Sequence, residues 1–296
     1  MSQESVVRNP TLPSASSRVR PRKMGQAILR QLMLFLVALF FLIPFWWLLV
    51  SSLKPVDQIL TTPPRWWPDP IMWQNYTTAL TSPAFPFITL LFNTIYYAGL
   101  STLGTVISSA VVAYAFARMK FWGRDTLFGI TLATLLLPAV VTLIPTYILF
   151  QRLGWVGTYA PLIVPHFFGG AFNIFLLRQF MLTIPLDLTD AARVDGAGDF
   201  TILWRVLAPL IQPALLVVAI FHFMYAWNDF LGPLLYMDDA SKYPLVIGLY
   251  AFRTRAALKC DLLTAASMAV TFPLLILFFA AQRYFIEGVT LTGIKG

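Results

Sequence analysis

Residues 190–209, Asp-Ala-Ala-Arg-Val-Asp-Gly-Ala-Gly-Asp-Phe-Thr-Ile-Leu-Trp-Arg-Val-Leu-Ala-Pro, form a polar island of small residues between two long apolar stretches without charge. The chemistry they offer is recognition rather than bond-making. Asp187 can cap a short helix whose first turn also carries Asp190, favourable at the positive end of the helix dipole. Gly196, free to take positive φ, then supplies the stop, and a second segment starts from Asp199. Ala191, Ala192 and Ala197 leave a surface with little side-chain bulk, suited to close docking in a groove on another protein. The expected docking set is Asp190, Ala191, Ala192, Asp195, Gly196 and Ala197, closed by Pro209. An ordinary loop between two membrane spans would also use Asp and Gly to cap and turn, and is the plain alternative.

Other reactive residue types do not assemble into a site by spacing. His166 and His222 stand in different apolar stretches with no H-E-x-x-H pattern, so neither a metal nor a catalytic pair is expected, and each reads as an interior or cavity-lining residue. No stretch reads G-x-x-x-x-G-K-[ST], so the sequence offers no Walker-type phosphate loop for a nucleotide. Cys260, the single cysteine, cannot form an internal disulfide. No catalytic residues, metal or cofactor are expected, and no enzymatic activity in the isolated chain.

The elements that position the island are membrane spans. The chain has 296 residues, 58% hydrophobic and 11% charged, against about 25% charged in soluble proteins. Six charge-free stretches exceed 20 residues: 31–53, 70–117, 126–151, 153–177, 206–228 and 262–282. Each can hold the roughly 20 apolar residues that cross about 30 Å of hydrocarbon. The apolar part of the second begins near Phe85, after a polar outer segment. With the N-terminus inside, 14 of the 21 Lys and Arg residues fall inside and 7 outside, as retention of basic residues on the cytoplasmic side requires. That orientation places Asp190 to Trp204 in the cytoplasm. All nine tryptophans fall near span ends or in loops, as suits headgroup-level anchors.

The first apolar run is too long for a signal-peptide core and lacks a small-residue cleavage pattern, so it is expected to remain as a span. The Ser-, Pro- and Arg-rich residues 1–24 read as disordered. Their basic cluster serves topology retention more commonly than nucleic-acid or anionic-lipid binding, so no nucleic-acid partner is expected. The domain reading is a basic cytoplasmic tail over 1–30, a first span over 31–53, an extracytoplasmic loop over 54–84, a five-span core over 85–286 with a cytoplasmic hairpin at 186–205, and a cytoplasmic tail over 287–296. Pro44, Pro138, Pro145, Pro161, Pro165, Pro209, Pro213 and Pro273 load the spans with kink sites, where hinges and cavity walls compete with static bends.

The island resembles the EAA loop of permease subunits in ATP-binding-cassette importers: Glu-Ala-Ala, three residues, Gly, nine residues, Ile, one residue, Leu, Pro. Ala191, Ala192, Gly196 and Pro209 fall in register, while Asp190 stands for Glu, Val206 for Ile and Ala208 for Leu. The run Trp227-Asn228-Asp229-Phe230-Leu231-Gly232-Pro233-Leu234-Leu235 resembles a second signature of sugar-importer permeases. The tail Gln282-Arg283-Tyr284-Phe285-Ile286-Glu287-Gly288, closing with Gly293-Ile294-Lys295-Gly296, and the Ser52-Leu53-Lys54-Pro55 and Pro63-Pro64 segments extend the likeness to the carbohydrate branch and its maltose-type second permease.

The resemblance implies an all-α polytopic membrane protein of six transmembrane helices with the type I importer permease fold, in the cell membrane of a prokaryote with both termini cytoplasmic. It implies two ATP-binding-cassette ATPase subunits, a second similar permease and an extracytoplasmic solute-binding protein, besides membrane lipid. The cargo is expected to be an oligosaccharide or related glycoside, with a glycerol-phosphate or polyamine system as runner-up. A sugar path combines amides, hydroxyls and aromatic platforms, and Asn93, Tyr96, Asn173, Gln212, Tyr225 and Asn228 are its candidates. Polar residues also join helices in lipid. A self-sufficient secondary transporter, the rival from another class, would ordinarily carry ionisable residues at mid-membrane; Asp229, at the outer end of the fifth span, is the closest approach.

Overall fold

The computed structural model describes residues 21–255 and 259–293, with side chains over 25–254 and 259–282. The described residues are helical, with no strand among them. They comprise α1 (Pro21–Ser52), α2 (Val56–Ile59), α3 (Gln74–Leu80), α4 (Phe87–Arg118), α5 (Arg124–Ala133), α6 (Ala139–Arg152), α7 (Ala160–Ile163), α8 (Ala171–Leu182), α9 (Leu186–Val194), α10 (Asp199–Thr201), α11 (Ala208–Leu210), α12 (Gln212–Trp227), α13 (Leu231–Tyr236), α14 (Leu245–Arg255) and α15 (Cys260–Gly293). The chain divides into two units, 1–47 and 48–296. The described part of the first is one apolar helical stretch whose side chains, Phe40 and Phe41 among them, are exposed almost throughout.

Four helical stretches are long and apolar enough to cross a membrane, and two further pairs pass the same test together although bent by 100° and 86°. Counting each bent pair as one span gives the expected six. Proline chemistry accounts for both breaks. Leu137 is extended (φ −78°, ψ 116°) because it precedes Pro138, where the α region is disfavoured, so α5 and its 3₁₀ extension Thr134–Leu136 cannot run on into α6. Pro209 and Pro213 lie four apart, so the Pro213 ring confronts the carbonyl of Pro209 and cannot donate to it. The helix breaks between them at Ile211, and α12 leaves at 86° to the segment Asp199–Leu210.

The charge-free stretch 206–228 is therefore not one straight span: its apolar helix starts at Gln212, and 206–210 belong to the arm across its end. Two other boundaries move. α1 begins at Pro21, inside the segment expected to be disordered, because proline is tolerated where a helix N–H has no partner. α15 continues through Gly293 into the expected C-terminal tail. Residues 1–20 and 294–296 lie outside the described residues.

In the second unit α4 is the central element, packed against α8, α12 and the 3₁₀ turn Val164–Phe168. Small residues on its buried stripe, Ala98, Ser101, Gly104, Ala110 and Ala113, let neighbours approach closely. At Gly104 a β-carbon would sit 2.6 Å from the Phe167 ring. One apolar cluster joins α4, α8 and the arm through Ala113, Leu177, Met181, Ile202, Leu203, Leu207 and Ala214. A second joins α3, α14 and α15 through Ala79, Leu245, Phe252, Ala265 and Ala266.

Candidate functional site

The island folds as a helical hairpin. α9 ends at Val194, Asp195 follows, and Gly196 adopts φ +83°, letting Ala197 N–H reach back to the Ala192 carbonyl at 2.9 Å. This is a left-handed helix stop that a β-carbon disfavours. The returning limb starts at Asp199 and passes through a wide π turn, Ile202–Leu207, into α11 without leaving helical geometry. The π turn turns Ile202, Leu203 and Leu207 into the core, each essentially fully buried.

Polar contacts fix the hairpin to the bundle. The Tyr114 hydroxyl on α4 donates to Asp199 Oδ1 at 2.6 Å. Arg193 contacts Asp199 and Asp190, each at 3.4 Å, joining the two limbs. The Tyr114 hydrogen bond is the main cause that holds the Asp199 carboxyl below the usual carboxylate range; burial opposes it, and Arg193 adds to the lowering. Arg118, the last residue of α4, is buried and donates from Nη2 to the carbonyls of Met181 (2.6 Å) and Ile184 (2.7 Å), closing the C-terminal end of α8. Arg178 stacks on the Phe128 ring at 4.2 Å and donates to the Phe116 carbonyl.

Two details of the sequence reading change. Pro185, not Asp187, occupies the cap of α9, and Asp187 lies in the first turn without capping it. Asp190 sits beyond that turn and pairs with Arg193, so its charge serves the hairpin rather than the helix end. Ala191 is exposed, but Ala192 and Ala197 are half-buried against the core, because the hairpin must pack its small face inward to lie close to α4 and α8. Asp195 and Gly196 are exposed, and Pro209 lies in α11. What the hairpin presents outward is bulkier than expected: Leu186, Leu188, Val194 (88% exposed) and Phe200 (71% exposed). Their residue types inside a charged island were the available signal. The Tyr114 and Arg118 contacts, over 85 and 63 residues of separation, carried none.

The six expected path residues do not form one site. Asn93 Nδ2 donates to the carbonyls of Ser241 and Tyr243, tying α4 to the loop before α14. Tyr96 is exposed and meets Tyr159 edge-on at 5.2 Å between centroids. Tyr225 is exposed near the end of α12, 5.8 Å from the His222 ring, and Asn228 donates to the Met224 carbonyl of its own helix. Gln212 opens α12, about 24 Å of helix axis away from Asn228 at 1.5 Å per residue. Asn173 lies in the first turn of α8. Asp229 accepts from the Tyr97 hydroxyl (2.8 Å) and the Gly232 amide (3.1 Å), so the Trp227–Leu235 run is a clamp between α12, α13 and α4.

His166 and His222, expected to be separate, meet ring to ring at 4.5 Å. Among the described residues no group of three or more His, Cys, Asp or Glu could hold a metal ion. In the Ser52–Pro64 region, Lys54 is buried with Nζ on the Arg65 carbonyl, and Asn75 donates to the carbonyls of Ser52 and Lys54. The C-terminal resemblance beyond Gln282 falls on side chains outside the described residues.

The arabinooligosaccharides transport system permease protein AraQ of Bacillus subtilis is 32% identical over 90% of this chain and 94% of its own length. The sn-glycerol-3-phosphate transport system permease protein UgpE of Yersinia enterocolitica is 30% identical over 90% of this chain and 96% of its own. A chain in the crystal structure of a bacterial ABC transporter that imports the acidic polysaccharide alginate superposes with a TM-score of 0.77 at 24% identity, covering 94% of this chain and all of that one, and so shares its fold. Residues 106–290, which hold the hairpin, match the family described as binding-protein-dependent transport system inner membrane component, and the chain belongs to that family.

Proposed function

We propose that this chain is one of two permease subunits of an ATP-driven saccharide importer, in which two ATP-binding-cassette ATPases dock on the hairpin and a binding protein delivers cargo from the opposite side. The observation that carries the reading is an exposed apolar hairpin, Leu186, Leu188, Val194 and Phe200, built as the arm of a lever. The arm joins α12 across an 86° bend, so displacement of the hairpin turns the span. Tyr114 and the buried Ile202, Leu203 and Leu207 make that movement collective with α4 and α8. ATPase closure then shifts the permease between two packings through the different contacts it makes with each. Hydrolysis belongs to the partner subunits, and the chain itself is non-catalytic.

Both termini lie in the cytoplasm in this reading, which the excess of inward Lys and Arg supports. Similarity to AraQ supports a saccharide cargo, and similarity to UgpE keeps a glycerol phosphate as the second reading. On the path, Tyr96, Tyr225 and Asn228 offer exposed aromatic and amide groups near the outer end, with Asn173 and Gln212 further in; Asn93 holds its wall in shape. Affinity purification of the tagged chain from mild detergent, followed by mass spectrometry, tests the assembly. A Walker-type ATPase and a second permease should co-purify, and recovery of the chain alone with retained transport would overturn the reading.

A further inference from the structure

Near the outer end of the bundle, α14 and α15 form the walls of an open groove of about 520 Å³ that none of the expected path residues lines. Val246, Leu249, Tyr250 and Arg253 follow at intervals of three, one and three, so they share one face of α14. Leu263 and Ser267, one turn apart, form the α15 wall. Phe230 closes the end nearest Asn228 and meets Tyr250 edge-on at 5.1 Å, leaving the Tyr250 ring about half exposed. The volume falls within the roughly 300–1,000 Å³ of small-molecule sites.

The groove's polar equipment is asymmetric. Arg253 is exposed at its rim and has no carboxylate within ion-pair distance among the described residues. Outside this lining, Lys259 is also exposed, and Asp261 Oδ1 is buried with no hydrogen-bond partner among the described residues. The Ser267 hydroxyl is spent as a donor on the Leu263 carbonyl and keeps only acceptor capacity. An aromatic ring that can cover the apolar face of a pyranose thus stands one helical turn from a guanidinium whose fork matches a carboxylate or phosphate.

We propose that this groove is a recognition subsite for the charged group of an anionic saccharide, with Tyr250 and Phe230 holding the ring and Arg253 pairing the anion. The inference rests on the saccharide-importer reading and narrows its substrate class. The complete complex, with second permease and ATPases, is assembled in lipid nanodiscs without binding protein and titrated with trigalacturonate, neutral trigalactose and galactose 1-phosphate. An anionic probe should bind more tightly than trigalactose. Arg253→Gln should weaken that binding about tenfold, Arg253→Lys should restore part of it, and trigalactose should not respond to either change. Preference for trigalacturonate assigns a uronate, and preference for galactose 1-phosphate assigns a phosphoryl group.

Equal binding of charged and neutral probes, no binding of either, or indifference of the anionic probe to Arg253→Gln overturns the subsite. Uptake by the complete importer with its binding protein separates this failure from that of the broader reading. If neutral saccharides are carried while the subsite result is negative, only the subsite falls. If no saccharide is carried, neutral or acidic, the saccharide reading falls with it.

Discussion

Gly196 carries the sharpest residue-scale consequence. Nothing lies within 4 Å of a β-carbon built there, so a side chain meets open space, and the cost of substitution comes entirely from φ +83°. A β-branched residue in that region costs about 1–2 kcal/mol and reopens the turn, so Gly196→Val should insert normally, bind ATPase weakly and lose uptake. Gly198 supplies the control. It also faces open space, but at φ −74°, so Gly198→Ala should stay within about 1 kcal/mol of the parent in thermal stability and retain uptake. Normal uptake by Gly196→Val would sink the coupling role.

Asp199 makes a pH prediction. Its folded-state pKa is depressed, first by the Tyr114 hydroxyl and then by Arg193, so its contribution is complete above the unfolded value near 4 and disappears as pH falls through the folded value. This group should leave stability flat between about pH 6 and 8 and weaken it below about pH 4. Tyr114→Phe removes the main cause and should cost about 1 kcal/mol at neutral pH, since Asp199 is nearly half exposed and screened. Melting of the purified protein across that pH range checks both statements. Gly196 as a stop was legible in the sequence because positive φ selects glycine. The partner of Asp199 was not, because Tyr114 comes from a distant part of the chain.

At the scale of elements, Arg118 decides how α4 holds α8. Its Nη2 donates to the Met181 carbonyl in the last turn of α8 and to the Ile184 carbonyl just beyond that helix, and α4 ends at Arg118. Arg118→Leu leaves them without that donor at a part-buried helix end and should destabilise the protein by about 3 kcal/mol, seen as a lower melting temperature in detergent. An unchanged melting temperature would mean that water replaces the guanidinium at no cost. The existence of the spans was legible from the gaps between charges, since lipid excludes charge over a fixed length. Their breaks were legible only as proline positions. Pro44, Pro145 and Pro273 lie inside continuous helices, while Pro138 and the pair Pro209 and Pro213 mark bends near a right angle. Sequence alone did not separate these cases, because a kink depends on which neighbours satisfy the freed carbonyl.

For the whole molecule, the matched family region, residues 106–290, contains the hairpin whose apolar side chains face outward, and the proposed ATPase docking gives that exposed face a use. In the proposed reading, the fixation that joins the arm to α4 and α8 is what lets the hairpin pass on a partner's movement, because a loose loop would absorb it. The hairpin's turn was legible in the sequence but its outward apolar face was not, since burial of Ala192 and Ala197 depends on how the hairpin packs against the core. The most direct measurement is saccharide uptake into proteoliposomes holding the complete complex, with binding protein outside and nucleotide inside. Uptake should require both ATP and the binding protein, and disappear in Gly196→Val. Uptake without ATP, driven by an ion gradient and insensitive to Gly196→Val, would contradict the account and identify a secondary transporter instead.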